Sequence, residues 1–476
     1  MSLATELAQR VSALRFEDLP ADAVRWARVG ILDTVGVTLA GSREDAARLA
    51  ERALSPAAGA SVVFGHDRRV AALDAALING AAAHALDYDD CNNTLGGHPS
   101  VPLLPALFAA ADEHGASGRE FMTAYVAGFE VETKLALAVH FHHYTKGWHP
   151  TATLGVFGSA AACARLLGLG AEQTAVAIAI AASFASGIKS NFGTMMKPLH
   201  VGQCARNGLF AARLAREGYT ANTASAFEHK QGFFNVFNGE GTYDASKVLP
   251  AWGRPWDIVE PGIAIKQYPC CGSTHPALDA MLELARRHDL KPADVARIDS
   301  WTHARRLEHT NRPDPRSSLD AKFSVQYCLA RALADRKITI AQFEGDAYND
   351  GKIRDLMSRV HAAPYTTAQF PADNHFGAEV KVTLRDGTVH ARKVDQPCGR
   401  TSANPLPPAL LKEKFIDCAS RVLPASNVTQ LQSAIENFEG LKDVREVTAL
   451  TASREQARTR FKAAAAVSSR PRADVR

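Results

Sequence analysis

Apolar and small residues recur at helical spacing through the first 260 residues of the chain. Such spacing predicts helices that each bury one face. Ser117 followed by Glu120 is typical of a capped helix start, and Gly168 and Gly218 are suited to end helices. The helices predicted on this basis cover residues 2–14, 21–39, 44–54, 70–85, 101–113, 117–139, 151–167, 171–187 and 198–216.

The pattern changes near residue 260. A helix is predicted at 275–288 and a strand at 296–302. Residues 378–394 alternate between apolar and polar on both sides of Asp386-Gly387, which indicates a β-hairpin because both central turn positions favour positive φ. Helical patterns return at 407–421 and 426–437.

These patterns predict a mainly α protein with a smaller α+β domain. We expect a large discontinuous helical domain formed by residues 1–262 and 402–450. Residues 263–401 are expected to form the smaller α+β domain. The Ala- and Arg-rich tail at 451–476 has few apolar residues and is predicted to be a frayed helix or disordered.

Composition excludes several classes of protein. A formal charge of +4 on 476 residues is too weak for a nucleic-acid binder, although it favours attraction of a small polyanion. The longest apolar run, at 174–185, is too short to span a bilayer, so no membrane association is expected. The eight cysteines form no CxxC pair, and this usage fits reduced thiols in a cytoplasm.

Histidines concentrate where chemistry is predicted. Eight of the seventeen lie between His84 and His200, and histidine is the side chain best suited to move protons near neutral pH. Residues 84–100 add three carboxylates in a loop that glycine and proline keep out of helix. This loop is either a functional site or a capping and salt-bridge loop, because Asp and Asn also favour turns.

Two lysines stand just before predicted helix starts. Lys197 precedes Pro198, and Lys266 precedes the helix at 275–288, so each is a candidate to bind a carboxylate. His149 also precedes a predicted helix, whose positive end would lower its pKa and favour a neutral base. The alternative interpretation is that the lysines are solvated and that His149 is a helix-end residue.

Five segments together resemble the MmgE/PrpD family. Residues 87–100, 147–151, 197–202, 266–276 and 323–327 occur in the family's order, and the resemblance extends from about residue 5 to about residue 450. It implies a helical domain and a lid with the site between them, and a homodimer. The family includes 2-methylcitrate dehydratase, cis-aconitate decarboxylase and iminodisuccinate epimerase.

The resemblance also implies a set of site residues. Cys270 and Cys271 stand where the decarboxylase-like branch has a histidine, Cys91 stands near a threonine of that branch, and the loop at 92–97 is one residue longer. His275 is the candidate to replace the missing imidazole, unless it is structural, and Cys271 is assigned with it to substrate binding. The residues carried over from the family motifs are Asp87, His98, His149, Lys197, Lys266 and Tyr327.

The predicted function is a lyase that acts next to a carboxylate of a small di- or tricarboxylic acid, by dehydration or decarboxylation. His149 is expected to move the proton, with His98 as its partner or a carboxylate ligand, and Asp87 to orient an imidazole. Lys197 and Lys266 are expected to stabilise the carbanion. No phosphate loop or dinucleotide motif is present in the sequence, so no organic cofactor is expected. No metal is expected either, because the two lysines would supply the positive charge.

Three alternatives stay open. An epimerase of a dicarboxylate would use His98 and His149 on opposite faces of the substrate. A metal-binding protein would use His140, His142, His143 and His149, because closely spaced histidines can ligate zinc or copper. The last alternative is a non-enzymatic protein that binds small acids.

Overall fold

The structure, a computed structural model, describes residues 1–453, and the predicted tail lies almost entirely outside these described residues. Its first part is helical. The helices of this part are α1 (Leu3–Ala13), α2 (Ala21–Gly41), α3 (Asp45–Leu54), α4 (Ala72–Ala85), α5 (Leu104–His114), α6 (Gly118–Val139), α7 (His142–Lys146), α8 (Pro150–Thr153), α9 (Gly155–Leu166), α10 (Ala171–Phe184), α11 (Met196–Arg216) and α12 (Phe233–Asn238).

The second part alternates short helices with strands, and helices alone follow it. The helices of these parts are α13 (His275–Arg287), α14 (Ala304–Thr310), α15 (Ser318–Ala321), α16 (Val325–Asp335), α17 (Gly351–Met357), α18 (Pro408–Ala419), α19 (Ala425–Glu436) and α20 (Arg445–Leu450).

Two sheets are present in the described part of the chain. The first is a ribbon of β1 (Ala58–Val62) and β2 (Arg69–Val70). The second has four strands in the order β4-β3-β5-β6, with β3 parallel to β4 and antiparallel to β5. Its strands are β3 (Val295–Thr302), β4 (Val360–Pro364), β5 (Ala378–Leu384) and β6 (Val389–Val394). The fold is therefore mainly α with a smaller α+β part, as the sequence predicts.

The hydrophobic core falls into separate clusters. The largest joins helices of the first part to the last helices, through residues such as Phe121 on α6 and Phe415 on α18. A second cluster lies beneath the four-stranded sheet and includes Leu278 on α13, Tyr327 on α16 and Val380 on β5. The hairpin β5–β6 thus packs on its own cluster. The exact division of the chain at residues 262 and 401 remains a proposal.

Most predicted helices are present, with shifted ends. The predicted helix at 151–167 is two helices, α8 and α9, which meet at Leu154. The predicted helix at 70–85 begins later, because Arg69 and Val70 pair with β1. The ribbon β1–β2 and the short helices of the second part were not predicted, because such short segments show too few periods to recognise.

None of the helices in residues 1–453 combines the length and the hydropathy that a bilayer-spanning segment needs.

Candidate active site

The loop that follows α4 is held by three lysines from distant parts of the chain. Their ammonium groups donate to three consecutive backbone carbonyls: Lys322 to Leu86 at 2.8 Å, Lys266 to Asp87 at 2.6 Å and Lys414 to Tyr88 at 2.8 Å. The C-terminal end of a helix carries partial negative charge, which favours such cations. The three lysines therefore attach the second part and α18 to this loop.

Asp87 is the centre of the site. Its backbone has a φ of 52°, a left-handed conformation that Asp tolerates better than most residues. Its carboxylate oxygens contact the ammonium groups of Lys197, on α11, and of Lys266, at 2.9 Å. Burial opposes ionisation of Asp87, but Lys197 and Lys266 outweigh it and hold the pKa of this carboxyl well below its usual value. Asp87 is therefore a buried carboxylate between two ammonium groups.

Asp89 joins two histidines at the same loop. Its Oδ2 lies 2.8 Å from Nδ1 of His84 and 2.9 Å from Nδ1 of His98. Burial lowers the pKa of His84 to about 4, so this ring is neutral at pH 7. Burial also opposes the charge on His98, but Asp89 and then Cys91 outweigh it and raise its pKa to about 10. His98 is therefore an imidazolium, and its Nε2 lies 3.9 Å from Asp87 Oδ1.

A close backbone approach positions His98. Its N–H donates to Thr151 Oγ1 at 3.0 Å, so the loop lies directly against the start of α8. A Cβ on Gly97 would come within 2.8 Å of that hydroxyl, and only glycine fits there without displacing α8. Gly97 thus allows the charged His98 to lie beside the segment that carries His149.

His149 is the neutral imidazole of the site. Its backbone N–H donates to Gly187 O at 3.0 Å, and its ring Nδ1 lies 3.3 Å from Nδ1 of His200. Burial, and then the neighbouring His84 and Lys197, hold its pKa well below the usual histidine value. Its Nε2 is buried and has no hydrogen-bond partner among the described residues. One ring nitrogen of His149 therefore faces His200, near the surface, and the other is available to a substrate.

Two cysteines join the site, each beside a histidine. Cys91 Sγ lies 3.7 Å from His98 Nδ1, and although burial favours the thiol, His98 and Lys266 lower its pKa to about 6. Burial likewise favours the thiol of Cys271, but His309 lowers its pKa to about 7. Both cysteines therefore have thiolate character near neutral pH.

Two residues assigned from the sequence do not join this cluster. Tyr327 is buried in the second core, where its hydroxyl donates to Gln342 O and accepts from Arg331 Nε at 3.0 Å. Nε2 of His275 lies 3.2 Å from Cys270 O, and the His275 ring packs edge-on against Tyr268. Within residues 1–453, these contacts lie outside the cluster around Asp87 and Asp89. His309, not His275, is the imidazole beside Cys271.

Several residues of the site were not selected from the sequence. His84 and Asp89 lay within the loop quoted above, and His200 follows Lys197 by three residues on α11, so both residues share a helix face. Arg306 and His309, which both interact with Cys271, show the same spacing on α14. That i, i+3 spacing was the available signal, but the short α14 was not predicted. Arg400, which interacts with Cys91 and Cys271, lies in the loop after β6, where no sequence pattern indicates it.

The histidine string proposed for metal binding is dispersed. Both ring nitrogens of His143 are bonded, to Asn238 at 2.9 Å and to Thr153 at 2.7 Å, and His142 is exposed. Within residues 1–453, the one group with metal-ligand geometry consists of His84, Asp89 and His98. Asp89 is already hydrogen bonded to both of these imidazoles, so a metal there would have to replace those bonds.

The site therefore combines fixed positive charge with a neutral base. Cationic side chains outnumber the two carboxylates of Asp87 and Asp89, which suits the binding of a polyanion and the stabilisation of a carbanion. The neutral His149 and the charged His98 provide a proton acceptor and a proton donor in one cluster. This combination suits reactions that make or break a C–H bond next to a carboxylate.

Comparison with known proteins agrees with this chemistry. Residues 5–246 match the MmgE/PrpD N-terminal domain, and residues 268–440 match the MmgE/PrpD C-terminal domain. The human cis-aconitate decarboxylase is 31% identical over 94% of both chains. The mouse cis-aconitate decarboxylase is 30% identical over 94% of this chain and 93% of the relative, and that of Aspergillus terreus is 29% identical over 92% and 94%. The chain therefore belongs to the MmgE/PrpD family.

Proposed function

We propose that this protein is a carboxy-lyase of a small unsaturated tricarboxylate, with cis-aconitate as the first substrate to test. The observation that carries the proposal is the cluster of Lys197, Lys266 and the His98 imidazolium beside the neutral His149. The relatives named as cis-aconitate decarboxylases support it, because they match this chain over nearly its full length.

The reaction needs stabilisation of negative charge more than it needs a base. When the bond to CO₂ breaks in cis-aconitate, the electron pair moves through the neighbouring double bond to the carbon next to another carboxylate. That carbon then takes one proton, so each turnover releases one CO₂ and consumes one proton. Lys197, Lys266 and His98 would neutralise the charge that develops on the carboxylate as the pair moves.

We assign the delivery of the proton to His149. Its Nδ1 faces His200, which is half-buried on α11, and its unpartnered Nε2 is free to face substrate. A neutral imidazole can accept a proton at Nδ1 and release another from Nε2. His200 would then resupply His149 from solvent after each turnover. The low pKa of His149 favours release of this proton to the carbanion.

The experiment is to incubate the purified protein with cis-aconitate in D₂O and follow the reaction by NMR. We expect release of CO₂ and a methylene-bearing dicarboxylate with one deuterium at the carbon next to a carboxylate. Methylcitrate and citrate in parallel tubes test dehydration. Turnover of these hydroxy acids, with cis-aconitate unchanged, would replace decarboxylation by dehydration.

An epimerase remains a second candidate because the site contains both a neutral and a charged imidazole. A base on one face and an acid on the other are what epimerisation requires. Its signature in the same experiment is deuterium in recovered substrate, for instance an iminodisuccinate-like acid, without net loss of CO₂ or water.

The homodimer and the cytoplasmic location remain proposals as well. Light scattering of the purified protein and fractionation of cells test them.

A further inference from the structure

Two arginines of the second part lie together at the edge of the site without a carboxylate partner. Arg306 is on α14, and Arg400 is in the loop after β6. The guanidinium carbon of each lies 4.5 Å from the centre of the Phe376 ring. Within residues 1–453, neither guanidinium forms an ion pair with a carboxylate. Two neighbouring cations share one aromatic ring, and among the described residues the acidic groups beside Arg400 are the thiols of Cys91 and Cys271 rather than carboxylates.

The contacts of these arginines leave donors available. Arg306 donates from Nε to His375 O and from Nη1 to Ser273 Oγ at 3.3 Å. Nε of Arg400 is buried and has no hydrogen-bond partner within residues 1–453. A buried guanidinium donor without an acceptor is costly, and a ligand carboxylate would satisfy it.

The arginines are connected to the proposed catalytic cluster. Arg400 interacts with the thiols of Cys91 and Cys271, and Cys91 lies 3.7 Å from His98. Burial, and then repulsion by Arg400, lowers the pKa of Arg306 to about 10. An anion between the two guanidinium groups would relieve this repulsion. A carboxylate suits the position, because it accepts paired hydrogen bonds from the planar guanidinium fork.

We propose that Arg306 and Arg400 form a second carboxylate subsite, separate from Lys197 and Lys266, which selects a tricarboxylate over a dicarboxylate. This inference rests on the proposed function for its substrate class. The subsite also explains why the site uses both parts of the chain. The lysine subsite is centred on the loop after α4, while both arginines come from the second part.

The test measures binding rather than turnover, so it does not depend on which reaction occurs. Calorimetry compares propane-1,2,3-tricarboxylate with 2-methylbutanedioate, which lacks one terminal carboxylate. In the full-length wild-type protein, removal of that carboxylate is expected to weaken binding at least about tenfold. In Arg400→Gln and in Arg306→Gln it should weaken binding less than about threefold, because the partner of the carboxylate is gone.

Two further variants keep the test decisive. Arg400→Lys keeps the charge but not the planar fork, and should fall between wild type and Arg400→Gln. Arg392→Gln, on β6 and paired with Glu283 at 2.9 Å, should behave as wild type. If removal of the carboxylate weakens binding equally in wild type and in both Gln variants, the proposed subsite is overturned. If removal of the carboxylate weakens binding more in wild type than in the Gln variants, but cis-aconitate is not decarboxylated, the subsite is supported and the proposed reaction is rejected.

Discussion

The ammonium group of Lys266 contacts Asp87 twice, at the backbone carbonyl and at Oδ2, across 179 residues of sequence. One side chain therefore fixes both the backbone of the loop and the orientation of its carboxylate. Lys197 contacts the other carboxylate oxygen from α11. Because Asp87 compensates both ammonium groups, the charge of the lysines can be held in a buried site and directed at a substrate.

Replacement of either lysine is expected to affect binding and catalysis together. Lys197→Ala or Lys266→Ala removes positive charge that the carbanion needs more than the substrate does, so KM should rise and kcat should fall about tenfold or more. Lys352→Ala, at an exposed position, is the control for a general loss of charge. Steady-state kinetics measures both parameters. A change in KM alone would limit the lysine to binding.

Two buried histidines provide a matched pair for the proton-transfer assignment. His149→Gln keeps the size of the side chain but cannot carry the proton, so kcat should fall at least about a hundredfold. His143→Gln alters a ring that is bonded to Asn238 and Thr153, and should lower the melting temperature more than kcat. Turnover and melting are measured on the same samples. Near-normal turnover of His149→Gln would remove this residue from the mechanism.

The charge on His98 predicts a dependence of stability on pH. Asp89 raises the pKa of His98 from 6.5 to about 10 in the folded protein, against the effect of burial. The stabilisation is full below about pH 6.5 and is lost as the pH rises through about 10, because the unfolded chain loses the proton first.

Urea denaturation of the wild type between pH 6 and pH 10 measures this loss. The variant His98→Gln is expected to be less stable at pH 6, by about 3 kcal/mol, because it leaves the buried Asp89 without a charged partner. Its free energy of unfolding should also vary less between pH 6.5 and pH 10. Equal slopes for both proteins would show that His98 is not the titrating group.

A second dependence of stability on pH is predicted for a carboxyl group outside the proposed catalytic cluster. Glu132 on α6 is fully buried, and in the described part of the chain neither of its carboxyl oxygens has a hydrogen-bond partner. Burial, and then Asp90 and Asp257, raise its pKa well above the usual value. The folded state retains this proton longer than the unfolded state, so its contribution to stability falls as the pH rises above the usual range of a glutamic acid.

Glu132→Gln removes this titration. The variant should resemble wild type at pH 4 and be more stable at pH 8, as measured by urea denaturation. Glu120→Gln is a control at a residue whose pKa is shifted in the opposite direction. The Glu120 carboxylate caps α6 by accepting a hydrogen bond from the N–H of Ser117, and this bond is the main cause of its lowered pKa. It should lose about 1 kcal/mol or less at pH 8. A destabilised Glu132→Gln at pH 8 would contradict the prediction.

Chelation separates the lysine mechanism from a metal mechanism. Since Lys197 and Lys266 provide the charge in our proposal, dialysis against EDTA should leave kcat/KM unchanged. His84, Asp89 and His98 have metal-ligand geometry, so the same samples are assayed after addition of zinc. Loss of activity on chelation, followed by recovery with zinc, would assign a catalytic metal to these three residues.

Local patterns explain how much of the fold the sequence predicts. The long helices are recognisable because each buries one face over several turns. The cap at Ser117 and Glu120 forms as predicted. The hairpin at Asp386-Gly387 was predicted in the same way, since a turn places its residues within a few positions of one another. Short helices such as α14 show less than two turns of pattern, so Arg306 and His309 could not be recognised.

The sequence by itself determined the residue types and the neighbourhood of the site, since the loop at 84–100 and the lysines at 197 and 266 were identified from local spacing and family motifs. The tertiary structure decided which of these side chains meet. In it, Tyr327 and His275 contact residues outside the cluster, whereas His200 and Arg400 contact members of it. It also decided their charges, because the same imidazole is neutral at His149 and positive at His98. Burial and the charge of neighbours across distant segments set these states, and neither can be read from local sequence.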